Sequence, residues 1–330
     1  MLENLTPFAA EILPGHGADG GMCRTVVVKA TLDFAGRPVA QGRAVPVFRG
    51  DEFFREEGLS GTVRHEADLA PAKPKVDVIF NGYAYAPGGR PAARFDAGLA
   101  IGRESRTLRV FGKRVWRRRL GLFPVAEEQE PALRVPVIYG LAFGGQDADD
   151  PVVFHPANPS GAGFSAGLPP DGAPLHQFEW PDDPVRMASD DVSPAGFGCV
   201  GRTWLPRRAL WGSYAARELQ DAPGIVTRMP ATFDPAAWNC AHPRMQFLPA
   251  QLAAGTRLRW MHLSADGEGA FTVPDLRPAV SWVARGERAT VRPGFDTLVI
   301  EPEQEHIVLI WRYTLTQEPA RYLESVQVHL

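Results

Sequence analysis

The chain has 330 residues, of which 45% are hydrophobic, and its formal net charge is −3. This length suits one large domain or two smaller ones. The slightly acidic balance gives no electrostatic attraction to nucleic acid or to anionic lipid, so neither is expected as a partner. The 33 glycines and 31 prolines stay below the ~25–30% that marks a low-complexity chain. We therefore expect them to separate many short strands of a mostly β fold.

The cysteines and the N-terminus indicate a cytoplasmic protein. Cys23, Cys199 and Cys240 are odd in number and far apart, which is typical of reduced thiols and not of a disulfide framework. The first twenty residues lack the basic and apolar regions of a signal peptide. No apolar run approaches the roughly 20 residues that a membrane span requires. We expect a soluble, cytoplasmic protein with no membrane partner.

Alternation of apolar and polar residues predicts strands throughout the first third of the chain. An N-terminal sheet is expected over about residues 22–138, with strands at 25–34, 44–48, 76–85, 95–101 and 107–116. Pro46 makes the second of these an edge strand, because proline cannot donate to a ladder. Gly82 and Gly112 interrupt two of the strands and predict bulges or bends there.

The last third of the chain returns to the strand pattern. A C-terminal sheet is expected over about residues 251–330, with strands at 257–263, 270–273, 279–284, 297–300 and 306–313 and a turn at 302–305. Between the two sheets lies a loop-rich centre at about 139–250. Its best helix candidate is 208–219, where Trp211, Tyr214, Ala215 and Glu218 share one face. The predicted architecture is a single domain of two antiparallel sheets, arranged like a sandwich, with one or two short helices in the centre.

Two stretches of the centre combine aromatic residues with Gly, Pro, Asn and Asp. The first is YGLAFGGQDADDPVVFHPANPSGAGF at 139–164, and the second is PAGFGCVGRTWLPRR at 194–208. Residues that favour turns exclude a long helix or a central strand, while the aromatic content argues against disorder. We therefore expect an ordered, loop-built face, which is where binding surfaces tend to occur.

The chain contains fragments of catalytic motifs, but each lacks its structural context. Gly163-Phe-Ser165-Ala-Gly167 matches the GxSxG nucleophile elbow, which requires a strand before the serine and a helix after it. Prolines and glycines on both sides exclude these elements. The acidic pairs Asp182-Asp183 and Asp190-Asp191 are most simply interpreted as solubilising charge. No catalytic residue is assigned.

Ligand-binding patterns are equally incomplete. Asp147, Asp149 and Asp150 do not continue as a calcium loop, and Cys240 and His242 have no second pair at zinc-ligand spacing. No metal or cofactor is therefore expected. Basic residues at 113–119 surround Trp116, a combination also found in proteins that bind single strands. A solvated hairpin with an arginine packed on Trp116 is the interpretation we favour.

Aromatic and arginine residues of the second stretch are the best candidates for partner binding, because interfaces are enriched in these types. The set comprises Phe197, Arg202, Trp204, Arg207, Trp211 and Tyr214. Core packing is the alternative interpretation for each aromatic residue.

The order of several motifs resembles a known family. They run from VVVKATLDF through ADLAPAKPKVDVIFNGYAYAPGG, LRVFGKRVW, YGLAFGG, NPSGAGF, PAGFGCVGRTWLPRR and WGSY to DTLVIEPEQEHIVLIWR, over about residues 25–312. This pattern is similar to the domain-of-unknown-function family found in type VI secretion gene clusters of Gram-negative bacteria. The family has no established catalytic residues, so the resemblance assigns none to this chain.

The resemblance implies an adaptor or chaperone rather than an enzyme. Such a protein would bind a toxic effector encoded nearby, linked to PAAR, Rhs or VgrG proteins, and help to load it onto the VgrG/PAAR spike. Two alternatives remain from the residues themselves. One is a hydrolase that uses Ser165 or paired Asp residues, and the other is a carbohydrate-binding β-sandwich with aromatic sugar platforms.

Overall fold

The computed structural model describes residues 1–54, 62–120, 123–213, 220–222, 225–226 and 228–330. Strands take up 44% of the structure, in several mostly antiparallel sheets, and helices take up 10% when short 3-10 turns are included. This confirms the predicted mostly β fold. The described residues include two short helices, α1 (Arg207–Leu210) and α2 (Gln317–Arg321). None of the helices formed by these residues combines the length and the hydropathy that a bilayer crossing requires.

The strands are numbered in chain order. Those of the first half are β1 (Leu2–Asn4), β2 (Ala9–His16), β3 (Met22–Leu32), β4 (Glu52–Phe53), β5 (Val63–His65), β6 (Val76–Phe80), β7 (Tyr83–Tyr85), β8 (Arg94–Ile101), β9 (Glu104–Phe111), β10 (Lys113–Arg119), β11 (Phe123–Glu130), β12 (Arg134–Pro136), β13 (Phe143–Gly144) and β14 (Ala162–Gly163). Those that follow are β15 (Pro174–Leu175), β16 (Phe178–Glu179), β17 (Gln220–Ala222), β18 (Ile225–Val226), β19 (Gln246–Phe247), β20 (Arg257–Met261), β21 (Glu268–Thr272), β22 (Ala279–Ala284), β23 (Glu287–Val291), β24 (Gly294–Glu301), β25 (His306–Thr316) and β26 (Leu323–His329).

The largest sheet combines strands from both ends of the chain, in the order β19-β6-β24-β25-β3-β2. β3 pairs with β25 from Leu32 opposite Ile307 to Cys23 opposite Thr316, and β6 pairs with β24 in parallel. The predicted division into an N-terminal and a C-terminal sheet is therefore wrong. β3 and β25 are buried on both faces over most of their length, and pairing them places both in the centre of one sheet.

A five-stranded sheet, β16-β9-β8-β20-β21, and a four-stranded sheet, β1-β26-β22-β23, complete the main scaffold. Side chains from all three sheets belong to one contiguous apolar core, to which β3 contributes Val28, β8 contributes Leu99 and β26 contributes Val328. The smaller sheet β11-β10-β15 forms a hairpin whose turn exposes Leu120 almost fully. The three main sheets thus share one core.

Most predicted strands are confirmed within a few residues at each end. The two predicted interruptions are also present: β6 and β7 lie on either side of Gly82, and β9 and β10 lie on either side of Gly112. A Cβ atom at Gly112 would lie 2.0 Å from the carbonyl oxygen of Glu130. The close approach of these two backbones explains why glycine occupies the bend.

Two predicted elements are wrong. Residues 44–48 form no strand, because their backbone donors bind side chains: the amide of Val45 donates to Thr31 Oγ1, and that of Phe48 donates to Asp68. The helix predicted at 208–219 ends at Leu210, and Gly212 follows with a φ of 76°. A φ in this left-handed region ends a helix. Residues 214–219 of that prediction lie outside the described residues.

Residues 139–213, which we call the central block, are built from turns and two-residue strands, in agreement with the predicted loop-built face. β13 and β14 pair in parallel and join the two ends of the first aromatic and glycine-rich stretch. The Asn158 side chain donates to the carbonyl oxygens of Tyr139 at 2.8 Å and of Phe143 at 3.0 Å. Buried side-chain hydrogen bonds thus replace the ladder bonds of a regular sheet.

Six ionisable groups are buried around the six-stranded sheet, and we call them the buried ion network. Asp68 pairs with both Lys29 and Arg312, and Arg312 also pairs with Asp296. The remaining pair is Lys73 with Asp77, at 2.7 Å. Three cations balance three carboxylates, as buried charges require.

Candidate functional site

Two of the six residues predicted to bind a partner are buried inside the chain itself. Phe197 is fully buried and packs on Trp180, with ring centroids 5.9 Å apart. Arg207 is 3% exposed and forms a bidentate ion pair with Glu66, at 2.7 and 2.9 Å. The structure corrects both assignments, because neither side chain can contact a partner from these positions.

Three of the other residues remain accessible. The Arg202 side chain is 41% exposed and shares Glu66 with Arg207. Trp204 is half-buried and meets the ring of Tyr139 edge-on at 5.7 Å. Trp211 is also half-buried, but it packs in a separate group described below. Tyr214 lies outside the described residues.

Trp211, Phe233 and Trp238 form an aromatic cluster. The Trp211 centroid lies 4.8 Å from that of Trp238 and 5.7 Å from that of Phe233. All three rings are half-buried. The segment 204–211 therefore contributes Trp204 to one aromatic contact and Trp211 to another.

The residues considered for catalysis and metal binding have local structural contacts. Ser165 donates its hydroxyl hydrogen to Asp147 Oδ2 at 3.2 Å, and the amide of Ala166 donates to the same oxygen at 2.7 Å. Hydrogen bonds from this amide and from the backbone amides of the loop after Asp147 lower the pKa of the Asp147 carboxyl. The Cys240 thiol packs against Asp77 of the buried ion network at 3.5 Å. Among the described residues, no group of three or more His, Cys, Asp or Glu side chains is arranged to hold a metal ion.

The basic cluster around Trp116 belongs to a hairpin, but the expected packing of arginine on Trp116 is wrong. The Arg114 guanidinium lies over the ring of Phe111, 3.4 Å from its centroid, and pairs with the buried Glu179. Trp116 is 2% exposed and donates from Nε1 to the carbonyl oxygen of Gly163. The pairing of β10 with β15 buries this ring beneath the central block.

A cleft of about 500 Å³ lies where the two aromatic and glycine-rich stretches meet, and we call it the central cleft. Its apolar lining includes Tyr139, Val192, Val200 and Leu205. The remaining lining residues are His155, Pro156, Ala157, Asp191, Ser193, Pro194, Pro206, His242, Pro243 and Arg244. Leu205 is 37% exposed at the rim. The residues come from four separate parts of the sequence.

One buried imidazole of the cleft is paired with an exposed carboxylate. His155 Nε2 lies 2.8 Å from Asp191 Oδ1, and the side chains are 6% and 87% exposed respectively. The carboxylate can only accept when ionised, so the imidazole nitrogen donates. The His155 ring also meets Phe143 edge-on at 5.1 Å. These contacts fix the position of Asp191 at the edge of the cleft.

A second imidazole contacts a serine hydroxyl. His242 Nε2 lies 3.2 Å from Ser193 Oγ, and His242 Nδ1 accepts the amide hydrogen of Arg244 at 3.1 Å. An Nδ1 atom that accepts carries no hydrogen, so the neutral ring has its hydrogen on Nε2 and donates it to Ser193. In this tautomer the ring cannot take a proton from Ser193 as a general base would.

Protonation of His242 is expected to destabilise the fold at acidic pH. Burial, with a further contribution from the charge of Arg244, lowers the pKa of His242 to about 4, whereas histidine in an unfolded chain has a pKa of about 6.5. Between these values the unfolded chain binds a proton that the folded protein does not. The free energy of unfolding therefore decreases by up to about 3 kcal/mol as the pH falls from 6.5 towards 4.

Urea unfolding at pH 7 and at pH 5 measures this effect. The midpoint should fall between the two pH values, and it should fall less in a His242→Gln variant, in which this group no longer titrates. Burial also lowers the pKa of His176, so part of the fall should persist in the variant. Equal falls in both proteins would contradict the assignment to His242.

Sequence reasoning identified the parts of the cleft but not their proximity. His155, Asp191 and His242 each belong to a motif considered above, and Ser193 immediately precedes the second stretch. Both histidines precede a proline, a combination that is common in loops and does not indicate a site. Nothing in the spacing predicts the pairs that tertiary structure forms.

Comparison with known proteins places the chain in a family. No curated protein and no solved structure matches it. A family model described as "Uncharacterized protein conserved in bacteria (DUF2169)" matches residues 19–312, which include the whole five-stranded sheet, the whole central block and parts of the other two main sheets. The chain therefore belongs to the DUF2169 family of bacterial proteins.

Proposed function

We propose that the protein is a cytoplasmic adaptor or chaperone of a type VI secretion system. It binds a cognate toxic effector encoded nearby and helps to load it onto the VgrG/PAAR spike. The motif resemblance described above supplies the biological setting. The observation that supports partner binding most directly is the central cleft, which has an apolar lining and an exposed leucine at its rim.

The cleft is built on a fixed support, which favours binding. Arg207 of α1 donates to Glu66, to the carbonyl oxygen of Ala237 at 2.8 Å and to that of Val200 at 2.9 Å. These bonds position the segment that contributes Leu205. A surface that is already ordered loses less conformational entropy on binding than a mobile loop does.

Exposed apolar residues extend the surface beyond the cleft. Val152, Val153 and Phe154 are 83%, 38% and 43% exposed, directly before His155 of the cleft lining. The half-buried aromatic cluster includes Trp211, which follows Leu205 of the rim closely in the sequence. Exposed apolar groups with rigid aromatic neighbours are typical of protein interfaces.

Replacing Leu205 with aspartate should weaken effector binding by at least about tenfold, because a charged group would be desolvated in an apolar contact. The measurement is co-expression with the protein encoded by the neighbouring gene, followed by affinity purification and titration of the purified partners. Trp211→Ala should weaken binding in the same direction by removing aromatic contact area.

Leu120→Asp is the matched control, since Leu120 is 91% exposed at the turn of the β10–β11 hairpin. It should fold and bind as the unchanged protein does. If the neighbouring gene product does not co-purify, the adaptor function is contradicted. If it co-purifies equally well with Leu205→Asp and with Leu120→Asp, binding occurs on another surface.

A further inference from the structure

We infer that the central cleft binds an extended peptide segment of its partner in which a large apolar side chain is flanked by lysine or arginine. The inference rests on the proposed adaptor function, because it assigns the segment to the effector. It follows from three features of the cleft: a serine hydroxyl with its hydrogen free to donate, an exposed carboxylate at the rim, and an apolar wall.

The Ser193 hydroxyl is a hydrogen-bond donor for a ligand. The Arg244 amide occupies His242 Nδ1, so His242 Nε2 donates to Ser193 Oγ. The hydroxyl has therefore accepted a hydrogen bond and retains its own hydrogen. The backbone amide of Ser193 donates to Asp183 Oδ2 at 2.9 Å, and this bond fixes the backbone at this position. A peptide carbonyl oxygen is the acceptor that an extended segment would present to it.

The Asp191 carboxylate is an acceptor at the same rim, two residues before Ser193. One carboxylate oxygen accepts a hydrogen bond from His155, and 87% of the side-chain surface is exposed. Within residues 139–213 the sequence has nine Asp and Glu residues and four Arg residues, a formal net charge of −5, whereas the whole chain has −3. The central block thus holds more than the entire net negative charge, and Arg244 of the cleft lining is paired with Asp182 at 2.7 Å. This balance favours a cationic partner segment.

The apolar wall selects the residue between the cationic flanks. Val192 and Val200 are buried with 7% and 6% of their surface exposed, Leu205 lies at the rim, and prolines occupy several positions of the lining. Proline carries no amide hydrogen, so these positions offer an apolar surface without a competing donor. A volume of about 500 Å³ accommodates a large side chain together with its neighbouring backbone.

Selection from a random ten-residue peptide library displayed on bacteriophage, with the full-length purified protein as the target, tests the inference. The selected peptides should share a large apolar residue next to lysine or arginine. A synthetic, fluorescein-labelled consensus peptide is then titrated by fluorescence polarisation. Asp191→Lys should weaken its binding by at least about tenfold, and Ser193→Ala by about fivefold.

Two controls separate recognition from loss of structure. Ser165→Ala removes a hydroxyl that binds Asp147 outside the cleft lining, and Asp275→Asn removes an exposed carboxylate that pairs with Arg277 outside the central block. Both should bind the peptide within about twofold of the unchanged protein. Added salt should weaken binding to the unchanged protein, whereas it should strengthen the residual binding to Asp191→Lys by screening the repulsion between two cations.

The inference is overturned if no peptide is selected, if the selected peptides lack basic residues, or if Asp191→Lys and Ser193→Ala both bind as tightly as the controls. An effector that co-purifies but is not displaced by the consensus peptide contradicts this inference and leaves the adaptor function intact. A consensus that behaves as expected, with no binding to the neighbouring gene product, contradicts the adaptor function alone.

Discussion

Replacement of Asp77 with alanine is expected to lower the free energy of unfolding by about 3–5 kcal/mol, because it leaves a buried ammonium group without its counter-ion. Asp77 has no exposed surface and accepts from Lys73 Nζ at 2.7 Å. The same carboxylate accepts from the Asn239 side chain at 3.0 Å and from the amide of Cys240 at 2.9 Å. The amide of Ala241 donates to it as well, at 3.2 Å, so one substitution removes the acceptor of four buried nitrogen donors.

The size of this effect depends on burial and not on the length of the ion pair. Asp275 and Arg277 form a shorter pair, at 2.6 Å, but both side chains are 61% exposed. Water replaces the partner of an exposed charge, so such pairs add little to stability. Asp275→Ala is therefore the matched control, and its unfolding midpoint should equal that of the unchanged protein.

Urea unfolding followed by tryptophan fluorescence measures both variants. If Asp77→Ala unfolds during purification, the result agrees with the expectation. Asp77→Asn should then have a measurable stability between those of Asp77→Ala and the unchanged protein, since an amide oxygen still accepts from Lys73. A midpoint for Asp77→Ala close to that of Asp275→Ala would show that the buried ion network adds no stability.

Asp77 also shows how far the sequence predicts this fold. The alternation at Val76-Asp77-Val78 predicts a strand with its valines inward, and the strand is confirmed as β6. The Asp77 side chain, however, is buried as well, because Lys73 and the backbone at Cys240 cover the opposite face. Local alternation determines which residues form a strand. It carries no information on what covers the second face.

The same limit applies to the pairing of strands and to the site. β3 and β25 are recognisable individually, but their pairing joins residues almost 300 positions apart. In the central cleft, Asp191 and His155 are 36 positions apart, and Ser193 and His242 are 49 apart. Turn residues predict that the centre is built from loops. They do not predict which loops meet.

Residue type was also an incomplete guide to the partner surface. Aromatic and arginine residues are enriched at interfaces, but inside a protein aromatic rings also pack in the core and arginines also form ion pairs that hold loops to it. Phe197 and Arg207 belong to the second group, and only burial distinguishes them from Trp204 and Trp211. Arg207 still matters for binding, because it holds the segment that contributes the exposed residues.

Replacement of Arg207 with methionine is accordingly expected to affect stability and binding together. The methionine retains much of the apolar volume but removes the bidentate pair with Glu66 and the bonds to two buried carbonyl oxygens. We expect these lost bonds to lower the unfolding free energy by about 3 kcal/mol. The loss is no larger because Glu66 keeps Arg202 as an ion-pair partner. Effector binding should fall at least as far as in Leu205→Asp.

Arg208 provides a control at the next position, since its side chain is exposed on the same short helix. Arg208→Met should retain both stability and effector affinity, while Arg207→Lys should lie between Arg207→Met and the unchanged protein, because lysine keeps the charge but not the planar fork. Unfolding midpoints and effector affinities are measured on all three variants. If Arg207→Met loses stability but binds the effector with unchanged affinity, the effector does not contact the segment that Arg207 supports, and the partner surface must then be sought away from α1 and the rim at Leu205.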